Sequence, residues 1–116
     1  MNKYDPLDIN GMFEMLNKLE RKKQIEEGNK MIIHIYEDRG HAWAKVKRTL
    51  LQRLKLEAHV SPYSYQKGDY VYLEEDVDLG LLVNALNRQG IGYIFKEHYT
   101  DGRSRVRSFD QFQPRG

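Results

Sequence analysis

The chain has 116 residues, 19 basic and 17 acidic side chains, a formal charge of +2 and no cysteine. That length holds one domain, and the missing cysteine excludes disulfides, thiolate catalysis and every cysteine-ligated zinc or iron–sulfur centre. So small a net charge demands no polyanionic partner, although 79–116 carry six basic against three acidic residues and gather the excess in Arg103, Arg105, Arg107 and Arg115.

Asp5-Pro6 opens a helix, with Asp5 at the N-cap and Pro6 at the first helical position. Ile9, Met12, Phe13, Leu16 and Leu19 follow at helical spacing and Gly28-Asn29 ends the segment, predicting an amphipathic helix over 6–27 with a thin apolar stripe. Residues 1–29 are expected to form this helix as a separate leading unit, ahead of an α+β domain over 30–110 and a frayed tail over 111–116.

The β-branched content of Met31–Tyr36 predicts a strand, and Glu37–Gly40 turn it into a second strand over His41–Val46. In that hairpin Ile35 is expected to face Ala42, Ile33 to face Ala44 and Met31 to face Val46, which leaves Ile32, His34, Tyr36, His41, Trp43 and Lys45 on the other side. A short helix over 47–55 follows, with Leu50, Leu51 and Leu54 inward and Lys47, Arg48, Arg53 and Lys55 outward. A second hairpin turns at Lys67-Gly68 and sets Tyr65 against Tyr70 and Tyr63 against Tyr72. Glu75 or Asp76 caps a helix over 77–89, whose stripe is Leu79, Leu82, Val83 and Leu86 and whose stop is Gly90. Ile91–Thr100 and Arg103–Phe109 are expected to form a third hairpin across Asp101-Gly102. One of its faces holds Tyr93, Phe95, Tyr99 and Val106, and the other Ile94, Lys96, His98, Arg105, Arg107 and Phe109. The fold class is therefore α+β, an antiparallel sheet of three hairpins with helices on one face, in the order α-ββα-ββα-ββ.

The alternation assigns aliphatic side chains to one side of the sheet and Tyr, Trp, His, Lys and Arg to the other. The predicted binding face is Tyr36, Trp43, Lys45, Tyr63, Tyr65, Tyr70, Tyr72, Arg105 and Arg107. Aromatic cross-strand pairs stabilise a sheet by about 0.2–1 kcal/mol each, so these rings have a structural reading as a ladder. Their functional reading is recognition, because Tyr and Trp bring large contact area at low entropic cost. The same rings stack on bases where a basic groove tracks a nucleic-acid backbone, but no RNP-type signature or phosphate loop is present.

Gly40-His41-Ala42-Trp43 with Val46, Ser61-Pro62-Tyr63-Ser64-Tyr65 with Gly68, Val71-Tyr72-Leu73-Glu74-Glu75-Asp76 with Asp78, and Val106-Arg107-Ser108 together resemble a pattern in small, functionally uncharacterised proteins of tailed phages and other mobile elements. The resemblance covers residues 31–110 and leaves 1–28 outside. It implies a mobile-element context, in which small cysteine-free proteins act as inhibitors or adaptors of host machinery, and supplies no activity, cofactor or site.

The run Glu74-Glu75-Asp76-Val77-Asp78 offers oxygens to a divalent cation, but it lies where a helix start favours acids and adjacent strand residues point to opposite faces, so capping is its expected role. His34, His41, His59 and His98 show no HExxH-type spacing, and Ser61, Ser64, Ser104 and Ser108 lack a nucleophile-elbow context. The functional expectation is a non-enzymatic macromolecule-binding module without cofactor or metal, its partner a host protein. Single-stranded nucleic acid, held by Trp43, Tyr63, Tyr65, Arg105 and Arg107, is the alternative. A metal-dependent hydrolase using His34 or His41 with Glu74 or Glu75 is a second one. A homodimer through residues 6–27 or through the aromatic face is a further pairing. No apolar run of signal-peptide or membrane-spanning length occurs, so the expected location is the cytoplasm, with no membrane partner.

Overall fold

The computed structural model describes residues 30–115, so the predicted helix over 6–27, the unit 1–29 and a dimer built through it lie outside the described residues. Met31–Glu37 (β1) and Ala42–Lys47 (β2) pair antiparallel. The turn between them closes on itself, with Asp38 N–H donating to the His41 carbonyl at 2.9 Å and Asp38 Oδ1 accepting from the N–H of Gly40 and of His41. Ile35 stands opposite Ala44 and Tyr36 opposite Trp43. This register is two residues from the expected one, and because the shift is even every side chain keeps its face. Ile33, Ile35, Ala42, Ala44 and Val46 are accordingly all buried in the main core.

The second hairpin, Tyr65–Lys67 (β3) and Tyr70–Glu74 (β4), shows the same even shift. Its turn is Gly68-Asp69, with Gly68 at φ 59°, the glycine-first arrangement whose twist suits a two-residue hairpin. Tyr65 therefore faces Tyr72, and Tyr63 falls outside the strand. β4 also pairs with β2, setting Val71 against Val46 and Leu73 against Ala44, which extends the aliphatic face.

Two helices cover that face among the described residues. Arg48–Arg53 (α1) buries Leu50 and Leu51, and Leu79–Arg88 (α2) buries Leu82, Ala85 and Leu86. Both end alike. After α2, Ile91 N–H reaches the Leu86 carbonyl at 2.9 Å and Gly90 N–H the Asn87 carbonyl at 3.1 Å, with Gly90 at φ 70°. After α1, Leu56 N–H reaches the Leu51 carbonyl at 2.8 Å and Lys55 N–H the Gln52 carbonyl at 3.1 Å, with Lys55 at φ 58°. This is the Schellman closure, and it requires a left-handed residue that glycine supplies without strain and lysine does not. Gly90→Ala is therefore expected to lower stability by about 1 kcal/mol and Lys55→Gly to raise it by about 0.5–1 kcal/mol, read from denaturant midpoints. Equal and same-signed effects would refute the strain argument.

The third hairpin does not form. Tyr93–Tyr99 (β5) reaches the sheet from β4 through α2, runs parallel to β1 with Ile33 opposite Phe95 and Tyr36 opposite His98, and makes the sheet mixed rather than purely antiparallel. A strand that follows a helical crossover returns in the direction in which its predecessor ran, so parallel pairing is what that connection delivers. The chain then leaves β5, and residues 103–109 cross the far side of the sheet as a strap with a 3-10 turn over Arg105–Ser108. Asp110–Gln111 (β6) pairs with β3 at the opposite edge, giving the order β5-β1-β2-β4-β3-β6. Burial explains the route: Val106, expected beside Tyr93 and Phe95, packs instead with Trp43 and Tyr72 on the other face. The single α+β domain stands, without the α-ββα repeat.

The tail expected to fray from residue 111 is docked as far as Arg115. Phe112 is buried in the main core, Gln113 N–H donates to Gln66 Oε1 at 2.9 Å, and Arg115 N–H donates to Glu57 Oε2 at 3.2 Å. Arg48, expected outward, is buried against it. Its guanidinium bonds Glu57, Gln66 Oε1 and the Gln113 carbonyl and lies 4.9 Å from the Phe112 ring centroid.

Candidate functional site

The second face of the sheet is divided by the strap. Under it, Trp43, Tyr72 and Val106 form a small buried cluster with Tyr36, Tyr65, Tyr70 and Phe109 at its margin. One carboxylate holds the strap down. Asp38 Oδ2 accepts from Arg107 Nε at 2.6 Å and from Ser104 N–H at 3.0 Å, while Oδ1 accepts from Arg107 Nη2 at 2.9 Å and from the β1–β2 turn. The Arg107 guanidinium holds the Asp38 carboxyl far below the usual carboxylate range, against the opposing effect of burial, and Asp38 in turn pushes Arg107 up. Arg107 also lies 5.1 Å from the Trp43 ring centroid, a cation over an aromatic face. The Trp43 Nε1–H beneath has no hydrogen-bond partner among the described residues.

The predicted face residues therefore occupy different settings. Trp43, 2% exposed, and Tyr72 are covered, and burial, followed by the neighbouring Tyr36 and Tyr70, pushes the Tyr72 phenol up. Arg107 is committed to Asp38. Tyr63 is 69% exposed but precedes β3 and is no part of the sheet. Tyr36, Tyr65, Tyr70 and Lys45 are half-buried and Arg105 is exposed. Lys45 Nζ sits 4.3 Å from the Tyr70 ring centroid, and Lys67 Nζ 4.9 Å from that of Phe109.

Beyond the strap, β1 and β5 carry an aromatic group that alternation places on this face but does not join together. Tyr36 stacks on His98 with centroids 4.9 Å apart and planes 18° apart. His34 Nδ1 lies 2.8 Å from His98 Nε2, so one of the two nitrogens carries the shared proton. Only the parallel pairing of β5 with β1 brings these rings together, and a hairpin reading of residues 91–109 hides it.

At the end of the same face, where β2 begins and β4 ends, His41 meets Glu74. His41 Nδ1 is 3.0 Å from Glu74 Oε2, while Glu74 Oε1 accepts from Asp76 N–H at 2.8 Å and Val77 N–H at 2.9 Å. Of the expected pairings of His34 or His41 with Glu74 or Glu75, the structure forms His41 with Glu74, whereas His34 is bonded to His98. Capping of α2 by Glu75 or Asp76 is not seen. Asp78 occupies the N-cap position and spends its carboxylate on the 61–64 loop, accepting from Ser61 N–H at 3.1 Å, Ser61 Oγ at 2.7 Å and Ser64 Oγ at 2.5 Å. Ser61 and Ser64 are therefore structural. Burial, followed by the charges of Asp76, Glu37, Glu74 and Glu97, raises the Glu75 carboxyl.

Among the described residues no helix is long and apolar enough to cross a membrane. Comparison of the chain with protein-family models, with curated proteins and with solved structures returns no match.

Proposed function

We propose that the chain is a non-enzymatic protein-binding module whose contact surface is the strip of the second face left open beside the strap. Tyr36, Lys45 and Tyr70, with His34 and His98, form its core, and the exposed Arg105 stands on the strap itself. The observation that carries this reading is the Tyr36–His98 stack, held by two adjacent strands and left half-exposed at Tyr36 and exposed at His98. Rings pre-ordered on a sheet lose little entropy on binding, and a surrounding set of Lys and Arg favours an acidic partner surface. With the resemblance to phage and mobile-element proteins, the partner is a host protein and the site of action the host cytoplasm. The covered position of Trp43 and the commitment of Arg107 remove two of the five residues on which the nucleic-acid reading depends.

The test is affinity capture from host lysate with the full chain, identification of the captured protein, and titration of that purified partner. Lys45→Glu combined with His98→Ala is expected to weaken binding at least tenfold, with thermal stability near wild type and Tyr63→Ala unchanged. Undiminished affinity of the folded double variant removes the strip from the argument. Binding of single-stranded oligonucleotides that falls steeply with salt would instead assign the nucleic-acid reading.

A further inference from the structure

We infer that His41, Glu74 and Asp76 form a binding site for a first-row divalent cation such as Zn2+ or Mn2+. Each residue offers one ligand atom, an imidazole nitrogen or a carboxylate oxygen, and the three atoms lie within 4.8 Å of one another. The His41 Nδ1 and Glu74 Oε2 separation of 3.0 Å is the distance found between two ligands of one ion. Ligands about 2.1 Å from a common ion stand about 3.0 Å apart at the right angle of an octahedral ion and about 3.4 Å apart at the tetrahedral angle of Zn2+, a small adjustment from the observed distance. A bound ion would take the place of the direct His41–Glu74 hydrogen bond, with the imidazole nitrogen and the carboxylate oxygen both turned to the metal.

The chain builds this site in a way the linear spacing conceals. Alternation along a strand separates neighbouring carboxylates, but β4 ends at Glu74 and the chain turns, so Asp76 is no longer bound by strand geometry. Glu74 itself enforces the turn. Its buried Oε1 takes the N–H groups of Asp76 and Val77, which fixes Oε1 and leaves Oε2 facing His41. His41, 33 residues away in sequence, is held by the Asp38 turn, whose carboxylate takes the His41 N–H. A buried ligand oriented by backbone donors, between two ligands exposed enough to admit an ion, is the arrangement of an accessible metal site with positions left for water. Mixed nitrogen and oxygen donors favour Zn2+, Mn2+, Fe2+ or Co2+ over Ca2+ and Mg2+, which prefer oxygen alone. Glu75 lies near enough to Asp76, Glu37, Glu74 and Glu97 to feel their charges, so the site stands in an acidic neighbourhood that attracts a cation. Arg107, the guanidinium of the strap, is already neutralised by Asp38.

The test is titration of the full 116-residue chain with ZnCl2 and, separately, MnCl2, followed by calorimetry and by the His41 imidazole signals in NMR. Saturable binding is expected at one site in the micromolar range, with the His41 ring signals shifted or, with Mn2+, broadened. His41→Ala and Asp76→Asn are each expected to weaken it at least tenfold. Asp76→Asn keeps the backbone N–H that Glu74 accepts, so its fold serves as the control where His41→Ala loosens the turn. Absence of saturable binding below about 1 mM overturns the site. So does affinity unchanged in both variants, or affinity lost only with His34→Ala or His98→Ala, which would place the ion on the other histidine pair. Mg2+ binding as tight as Zn2+ and insensitive to His41→Ala would likewise reduce the cluster to a nonspecific acidic surface.

Discussion

Asp38→Ala is expected to destabilise the protein by about 3 kcal/mol, corresponding to roughly 15 °C in Tm, and to release the strap from Trp43. Asp38 is nearly fully buried and accepts from Arg107 twice, from Ser104 N–H, and from Gly40 and His41 N–H. Its removal leaves the Arg107 charge without a partner and the β1–β2 turn without its acceptor. Two effects keep the loss from growing larger: Arg107 is 28% exposed and can rehydrate, and opening the strap lets the unpartnered Trp43 Nε1–H reach water. Tryptophan fluorescence reads the opening directly, since the chain has a single Trp, and a red shift in the folded variant is the expected signature. The pH dependence follows from the lowered carboxyl. In the unfolded chain Asp38 titrates near its ordinary value of about 3.9, and in the fold it titrates well below it. Its stabilisation is therefore complete above about pH 4 and is lost as pH falls through the lower folded value. Wild-type Tm should fall more steeply than that of Asp38→Ala between about pH 4 and pH 2. Glu57, also lowered, leaves the variant a residual slope. Parallel curves would show that the Asp38–Arg107 pair does not hold the strap in solution.

Arg48→Ala should cost a comparable amount, about 3 kcal/mol, whereas Arg48→Met combined with Glu57→Leu should recover much of it. Arg48 is 3% exposed and joins three separate parts of the chain, Glu57 after α1, Gln66 in β3 and the carbonyl of Gln113 in the tail. Truncation to alanine leaves Glu57 buried without its cation and a void beside Phe112. Methionine fills that void but strands Glu57 as alanine does, whereas Arg48→Met combined with Glu57→Leu removes both charges, and exchange of a whole buried pair for well-packed apolar groups is often far milder than deletion of one partner. Glu57→Gln discriminates the two contributions. It keeps the shape, strands the arginine charge, and should cost about as much as Arg48→Ala in denaturant titrations. A loss for the Arg48→Met and Glu57→Leu double variant as large as for Arg48→Ala would show that hydrogen bonding to the tail and to Gln66, rather than the ion pair and packing, is what the residue supplies. Limited proteolysis of residues 110–115 reads the tail separately, with faster cleavage expected in both the alanine and glutamine variants.

These two residues mark where linear reasoning stopped. Arg48 reads as an outward cation on a short basic helix, because helical periodicity does not reveal a tail returning from 65 positions away to cover that helix. Asp38 and Arg107 read as a turn residue and a member of a basic strip, and they are 69 positions apart. Local patterns fared better. Alternation put Ile33, Ile35, Ala44, Val46, Val71 and Leu73 on one face, and both hairpins kept that parity despite registers shifted by two, because an even slip moves a side chain along the strand without turning it over. The stripe of α2 and its stop at Gly90 were equally legible, since capping depends on residues within one turn.

By itself, then, the sequence determined a cysteine-free α+β domain with an aliphatic sheet face under two helices and an aromatic, basic second face. Those features follow from periodicities of 2 and 3.6, which act between near neighbours. Only the tertiary structure decided what that second face presents. The strap of residues 103–109 covers Trp43 and Tyr72, the parallel return of β5 stacks Tyr36 on His98, and the turn after β4 brings Asp76 and Glu74 to His41. Each of these depends on contacts between distant segments, selected by which buried groups find partners and which apolar surface is removed from water.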